Sequence, residues 1–212
     1  MEITPELARI HAHLCGDGSV FIYPTKQKGR RFIAEIGYYN KNQKLLDSFR
    51  TDFSKLFGVK MKMRSVVSVT SSSITRYNQF TAMFGSFKSY KWRIPLSIKD
   101  AAIDIKIEWL KAFFHDEAYH EKKYNRLKTK SMNFEGLRDV QEILSLLEIP
   151  SRLTGPNCDN SYYLTISRFN TVDAFRDFVK EPARKKIAEA GFEPCDPRVM
   201  GPVRTPGSST PL

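Results

Sequence analysis

From residue 4 to 16, Leu7, Ile10 and Leu14 recur at spacings of three and four, which predicts a helix with one apolar stripe. Thr4 is placed as its N-cap, Pro5 as its first helical residue, and Glu6 suits the positive helix end. The two glycines of Cys15-Gly16-Asp17-Gly18 then permit a sharp turn. Beyond it the period shortens to two. Ser19 to Pro24 alternates through Val20 and Ile22, Arg31 to Tyr39 alternates again, and Lys26 to Arg30, with Gly29, joins them as a hairpin. Leu45, Phe49, Phe53 and Leu56 share one face of a second helix over 45–57, which Gly58 ends. Strands are expected at Val59–Val69 and Ile74–Phe80 around a serine-rich turn, followed by a short helix near 80–90 and a break at Pro95.

The order then begins again. An apolar helix over 101–115 (Ile103, Ile107, Leu110, Phe113, Phe114) leads into a turn at Asp116-Glu117 and basic segments from Tyr119 to Lys130. A helix over 135–148 buries Leu137, Val140, Ile143, Leu144 and Leu147. Strands at Arg152–Thr154 and Tyr162–Ser167 flank Gly155-Pro156-Asn157, and an amphipathic helix over 171–188 is kinked by Pro182. Helix, acidic turn, two strands, helix, two strands, helix therefore occurs twice. The expected fold class is α+β, with halves at residues 1–98 and 99–190 and a flexible Pro- and Gly-rich tail over 191–212.

Composition narrows the partners. The chain carries 34 Lys and Arg against 23 Asp and Glu, a net charge of +11, which points to a polyanion such as nucleic acid. A membrane surface or ribosomal RNA would also attract it, so charge alone supplies no chemistry. Cys15, Cys158 and Cys195 lie far apart with no CxxC or Cys/His cluster, which argues against a zinc site or a disulfide framework and suits a reducing compartment. No apolar run is long enough to span a bilayer, and the N-terminus lacks a secretory pattern. A soluble, intracellular protein is expected, in the cytoplasm or a genome-bearing organelle, with no membrane partner.

Two helices ending in carboxylates would bring Asp17 and Glu117 together if they pack side by side, and Ala12 and Ala112 favour a close approach. Asp17 by itself is an ordinary turn former; the matching acid in the second half makes it a candidate ligand. Paired carboxylates in a positive cleft suit metal-assisted phosphodiester hydrolysis, because hard oxygens hold Mg2+ while it keeps several waters. Asp116 adjoins Glu117 and is the alternative acid.

At this point IHAHLCGDG (residues 10–18) and LKAFFHDEA (residues 110–118) resemble the LAGLIDADG motif of homing endonucleases. Each has the apolar face, a small third residue and an acid at the eighth position, which motif register assigns to Asp17 and Glu117. The resemblance covers residues 4 to 188. It implies two pseudo-symmetric αββαββα halves, saddle-shaped antiparallel sheets over DNA and two motif helices packed at the interface. It further implies a monomeric, metal-dependent endonuclease of double-stranded DNA that uses Mg2+, with Mn2+ able to substitute. The backbone carbonyl ligands would be Gly16 and Asp116, and an intron-encoded origin is expected. Ala118 replaces the glycine kept at Gly18, so the second turn must manage without easy positive φ. A supporting lysine in each half is implied: Lys41, beside Asn40, in the first, but Met132 in the second, with Lys130 two residues away on the same strand face.

The basic residues supply candidate DNA contacts. In the first half these are Lys26, Lys28, Arg30 and Arg31 in the hairpin, Asn40, Arg76, and Lys60, Lys62 and Arg64 alternating opposite Met61 and Met63. The second half offers His120, Lys122, Lys123, Arg126 and Lys128, with Arg152 and Arg168 further on. The bland reading of such runs is a solvated face. His11 and His115 read as core or interface groups, and Phe49, Phe53, Phe57, Phe113 and Phe114 as packing. Alternatives on the same scaffold are an RNA-splicing maturase, acting on its own intron RNA, and a DNA-binding protein without cleavage.

Overall fold

The computed structural model describes residues 2–26 and 31–167. Lys28, Arg30, Arg168, the side chain of Lys122, the expected helix over 171–188 and the tail lie outside the described residues. Two halves follow one plan. The first runs α1 (Pro5–Cys15), β1 (Gly18–Pro24), β2 (Phe32–Tyr39), α2 (Gln43–Phe57), β3 (Lys62–Ser65), β4 (Ser68–Ser72) and α3 (Ile74–Phe84). After the short α4 (Leu96–Lys99), the second runs α5 (Ile103–Glu117), β5 (Ala118–Glu121), β6 (Arg126–Ser131), α6 (Phe134–Leu146), β7 (Ser151–Thr154) and β8 (Tyr162–Ser167). The sheets are antiparallel with matching orders, β1-β2-β4-β3 and β5-β6-β8-β7. No helix among the described residues is long and apolar enough to cross a membrane.

Helix ends are set by side chains. Thr4 accepts from the Leu7 amide, Asn42 from Lys44 and Asn133 from Gly136, capping α1, α2 and α6. Gly58 closes α2 in the left-handed region at φ 63°. The strand expected at Ile74–Phe80 is instead helix α3. Ser73 caps it by accepting from the Arg76 amide, and Tyr77, Phe80 and Phe84 repeat at helical spacing with both phenylalanines buried. That helix stops at Gly85, so the one expected over 80–90 is displaced. The strand expected over 59–69 is a hairpin that turns at Val66-Val67.

One core runs through both halves, centred on the contact of α1 with α5. Ala8, Ala12 and Ala112 are buried there, and small side chains let the axes approach. Three polar contacts cross the helix pair. Arg9 reaches Glu108 at 2.8 Å while gripping Asp52 on α2, His11 accepts from Trp109 Nε1 at 2.9 Å, and His13 meets Asp116 at 2.8 Å. His11 is thus a core group, packed on Phe84 and Phe87.

Burial lowers the His11 pKa from 6.5 to about 3. Between those values the unfolded chain binds a proton that the folded chain refuses. This contribution to stability is therefore intact above pH 6.5 and is lost as pH falls from there toward 3. Urea titrations at pH 7 and pH 5 should show a loss of roughly 2 kcal/mol from this residue. His11→Asn, which keeps an acceptor for Trp109 and cannot titrate, should remove that part of the loss. An undiminished loss in the variant would show that His11 is not its source.

Candidate active site

Asp17 and Glu117 stand at matching places. Gly18 pairs with Tyr38 as Ala118 pairs with Thr129, so each acid immediately precedes the first paired residue of its sheet. The local backbones differ: Glu117 is the last residue of α5, whereas Asp17 sits in a turn after α1, its carbonyl accepting from the Tyr39 amide at 3.1 Å. Gly18 is required by space, since a Cβ there would lie 2.4 Å from Leu14 Cα, and not by a positive φ. Ala118 adopts ordinary extended backbone (φ −91°, ψ 147°), so the expected strain at the second turn does not arise.

Asp116 is the centre of a buried network. Its carboxylate is fully enclosed, and a carboxylate can only accept, so its neighbours must all donate. Oδ1 takes the Tyr38 hydroxyl at 2.7 Å and Asn40 Nδ2 at 3.2 Å; Oδ2 takes His13 Nδ1 at 2.8 Å. All three donors belong to the first half. Burial and the negative charges of Asp116 and Asp17 push the Tyr38 hydroxyl far above its ordinary range, which keeps it a donor. Gly16 makes room, because a Cβ there would come within 2.9 Å of Asp116 Cβ. Asn40, expected on the DNA face, is instead buried: Nδ2 also reaches Asp17 Oδ2 at 3.2 Å, while Oδ1 accepts from the Asn42 amide at 2.8 Å.

A cleft of about 310 Å³ opens beside Glu117, with Gly16, Lys130, Ser131, Met132 and Asp159 in its walls. Glu117 of one half and Gly16 of the other thus face one space. Asp159 holds Lys130 Nζ at 2.6 Å and is itself fixed by Ser161. Lys41 is exposed in the loop after β2. It directly precedes the cap Asn42 as Met132 precedes Asn133, so the two are equivalent. Among the described residues no three His, Cys, Asp or Glu side chains form a metal cage. His11, His13 and Cys15 are buried in the core. The Glu117 carboxylate in the cleft wall is a hard oxygen donor of the kind that a divalent cation takes.

The expected DNA contacts divide by strand register. Arg126, Lys128 and Lys130 share the outward face of β6, and Arg152 joins them through Thr165 of β8. His120 pairs with Leu127, out of step with that face, and meets Asn125 at 3.1 Å. Lys26, Arg31, Lys60, Lys62 and Lys123 are exposed. The expected alternation of Lys60, Lys62 and Arg64 is not kept. Lys60 precedes β3, a register shift falls between Met63 and Ser65, and Met63 is exposed while Met61 is buried. Arg64 pairs with Glu35 at 3.0 Å. Arg76 lies at the start of α3, with Ser71 at 3.5 Å. Sequence reasoning missed Tyr38 and His13 as site residues; the only signal was a polar group at a core-facing place on each element.

The fold and site define an α+β chain of two related halves, joined through helices whose ends present carboxylates. No protein-family model and no curated protein sequence matches the chain. Solved structures do. I-DmoI in complex with DNA and Mn aligns with a TM-score of 0.59 at 19% identity, over 84% of this chain and 94% of that one. Mesophilic variants of the homing endonuclease I-DmoI reach 0.63 at 18%, over 89% and 97%. The N-terminal LAGLIDADG domain of WhiA gives 0.50 at 9%, over 87% and 86%. The chain has the LAGLIDADG homing-endonuclease fold, with both halves in one polypeptide.

Tyr38→Phe keeps the packing and leaves the Asp116 carboxylate one donor short. It should lower stability by about 2 kcal/mol, the usual cost at a buried charged acceptor, measured by urea denaturation. A loss under about 0.5 kcal/mol, the level of an ordinary surface change, would show that this hydrogen bond is dispensable.

Proposed function

We propose that the chain is a site-specific endonuclease of double-stranded DNA that works with a divalent metal. One arrangement carries the reading: Asp17 and Glu117 each immediately precede the first strand of their half, at the ends of two helices packed together, and Glu117 shares a cleft with Gly16 and Lys130. Solved structures of the same fold, containing I-DmoI with DNA and Mn or Ca, support it. In this reading residues 1–98 and 99–190 each serve one strand of the duplex, 191–212 is a tail, and the protein is an intracellular monomer.

Asp17 and Glu117, with the backbone carbonyls of Gly16 and Asp116, would hold Mg2+, for which Mn2+ substitutes. Bound there, the metal supplies Lewis-acid stabilisation of phosphoryl charge and a more acidic water. Asn40 fixes the Asp17 carboxylate through its 3.2 Å hydrogen bond. Lys41 and Lys130 bring positive charge to the phosphate in their respective halves. Lys26, Arg31, Lys62 and Lys123 hold the DNA backbone, and the outward sheet faces meet its major groove.

Met132, standing where the first half has Lys41, favours a second reading: a DNA-binding protein or RNA-splicing maturase on the same scaffold, which needs the basic faces and not both lysines.

Cleavage of a randomised duplex library with Mg2+ or Mn2+ separates these readings. Wild type should yield enriched cut ends, and Asp17→Asn and Glu117→Gln should each reduce cutting by at least about 100-fold. Cutting that survives both substitutions would place the reaction elsewhere. Retention of a specific duplex, or of RNA, without cutting by wild type would favour the second reading.

A further inference from the structure

The two sheets share a topology and differ in chemistry at matching places. Tyr38 and Thr129 are equivalent, because each pairs with the residue after its motif acid. On the face of β2 away from the core, the residues around Tyr38 are Glu35 and Gly37, both buried, and exposed Tyr39; those of β6 around Thr129 are Arg126, Lys128 and Lys130. A basic triplet in one half thus stands where the other half has an acid, a glycine and a phenol.

The surroundings extend the contrast. In the first sheet the Glu35 carboxylate is taken by Arg64, and the Tyr39 ring lies over Gly37, with Cε2 3.2 Å from where a Cβ would stand. Neighbouring β1 turns Phe21 and Tyr23 to the same side, their ring centres 5.6 Å apart. These three aromatic residues are 36–40% exposed. In the second sheet Arg126 lies over the Tyr124 ring, and Lys128 lies over Tyr163 and pairs with Glu121 at 3.3 Å. The edge strands are alike: Lys62 of β3 and Arg152 of β7 hold matching places and both are exposed. The net charge of +11 suits a polyanion, and duplex DNA is the one that the proposed function assigns to both faces.

Base edges in the major groove discriminate between these chemistries. Guanine offers two acceptors, O6 and N7, to Arg or Lys, whereas thymine offers a methyl group to an apolar contact. We infer that the two sheets read half-sites of unlike composition. Arg126 and Lys128 select guanines in the half-site of the second sheet, and Phe21, Tyr23 and Tyr39 select thymines in that of the first. This rests on the DNA-binding part of the proposed function and does not require cleavage.

The test is selection of the full chain, in EDTA, against a randomised duplex library, followed by sequencing. The expected site is guanine-enriched on one side of its centre and thymine-enriched on the other. Lys128→Ala should lower the guanine preference by roughly tenfold at one position on that side only. Tyr39→Ser should weaken the thymine preference on the other side only. Replacing thymine by deoxyuracil in the selected site should weaken binding on the same side as Tyr39→Ser. A selected site of even composition, or a Lys128→Ala variant that loses affinity equally for all sequences, would overturn this inference and leave DNA binding intact. Failure to enrich any duplex would overturn the DNA-binding reading and this inference with it.

Discussion

The architecture depends on a carboxylate placed where no water reaches it. Asp116 lies at the crossing of α1 and α5 and is fully buried, so its lone pairs must be met from within the protein. His13, Tyr38 and Asn40 meet them, and all three come from the opposite half. An apolar residue at 116 could fill the volume, but it would take the acceptor from His13 and Tyr38 and one acceptor from Asn40. A buried polar network of this kind tolerates few alternative alignments, because any slide of α1 along α5 strands several groups together. The apolar core drives the halves together, and the Asp116 network selects one register of their contact.

That register bears directly on the candidate site. Asn40 donates to Asp116 and also to Asp17, so the half-buried acid of the first half is tied to the buried acid of the second. Asp17 is held further by the Tyr39 amide on its carbonyl. Glu117, one residue from Asp116, takes its place from the same anchor. The two motif acids are therefore positioned by one set of hydrogen bonds, although they belong to different halves of the chain. A loop-borne carboxylate would lack this constraint, and catalytic geometry tolerates little misplacement.

The sequence was informative where a single element decides the outcome. Leu7, Ile10 and Leu14, with Thr4 and Pro5 ahead of them, are enough to define α1, and the repeated acidic turn identifies the doubled plan. Ile74–Phe80 misled because Ile74 and Thr75 favour extended structure locally, while the burial of Phe80 and Phe84 that stabilises α3 depends on partners distant in the chain. Arg64 was misplaced by a register shift that no alternation pattern contains. Asn40 was read as a DNA contact because a polar residue beside Lys41 looks like surface. Its burial follows from Asp116, 76 positions away. Pairwise long-range contacts of that kind leave no periodic trace.

The same network explains why the two halves share a chain. A residue with a Cβ at position 16 would collide with Asp116, whose equivalent in the first half is Gly16 itself. In a dimer of identical halves both positions would carry one residue type, since a two-fold interface presents the same groups from each side. Two aspartates would then crowd and repel at the crossing, whereas two glycines would leave no carboxylate to organise it. His13 and Phe113, Tyr38 and Thr129, and Asn40 and Ser131 differ in the same one-sided manner. Thr129 bears the cost, because its buried hydroxyl has no partner among the described residues. Two identical halves cannot place the acid on one side and all its donors on the other, whereas a fused chain can. Once that contact was one-sided, nothing in the packing required the outward faces of the two sheets to remain alike.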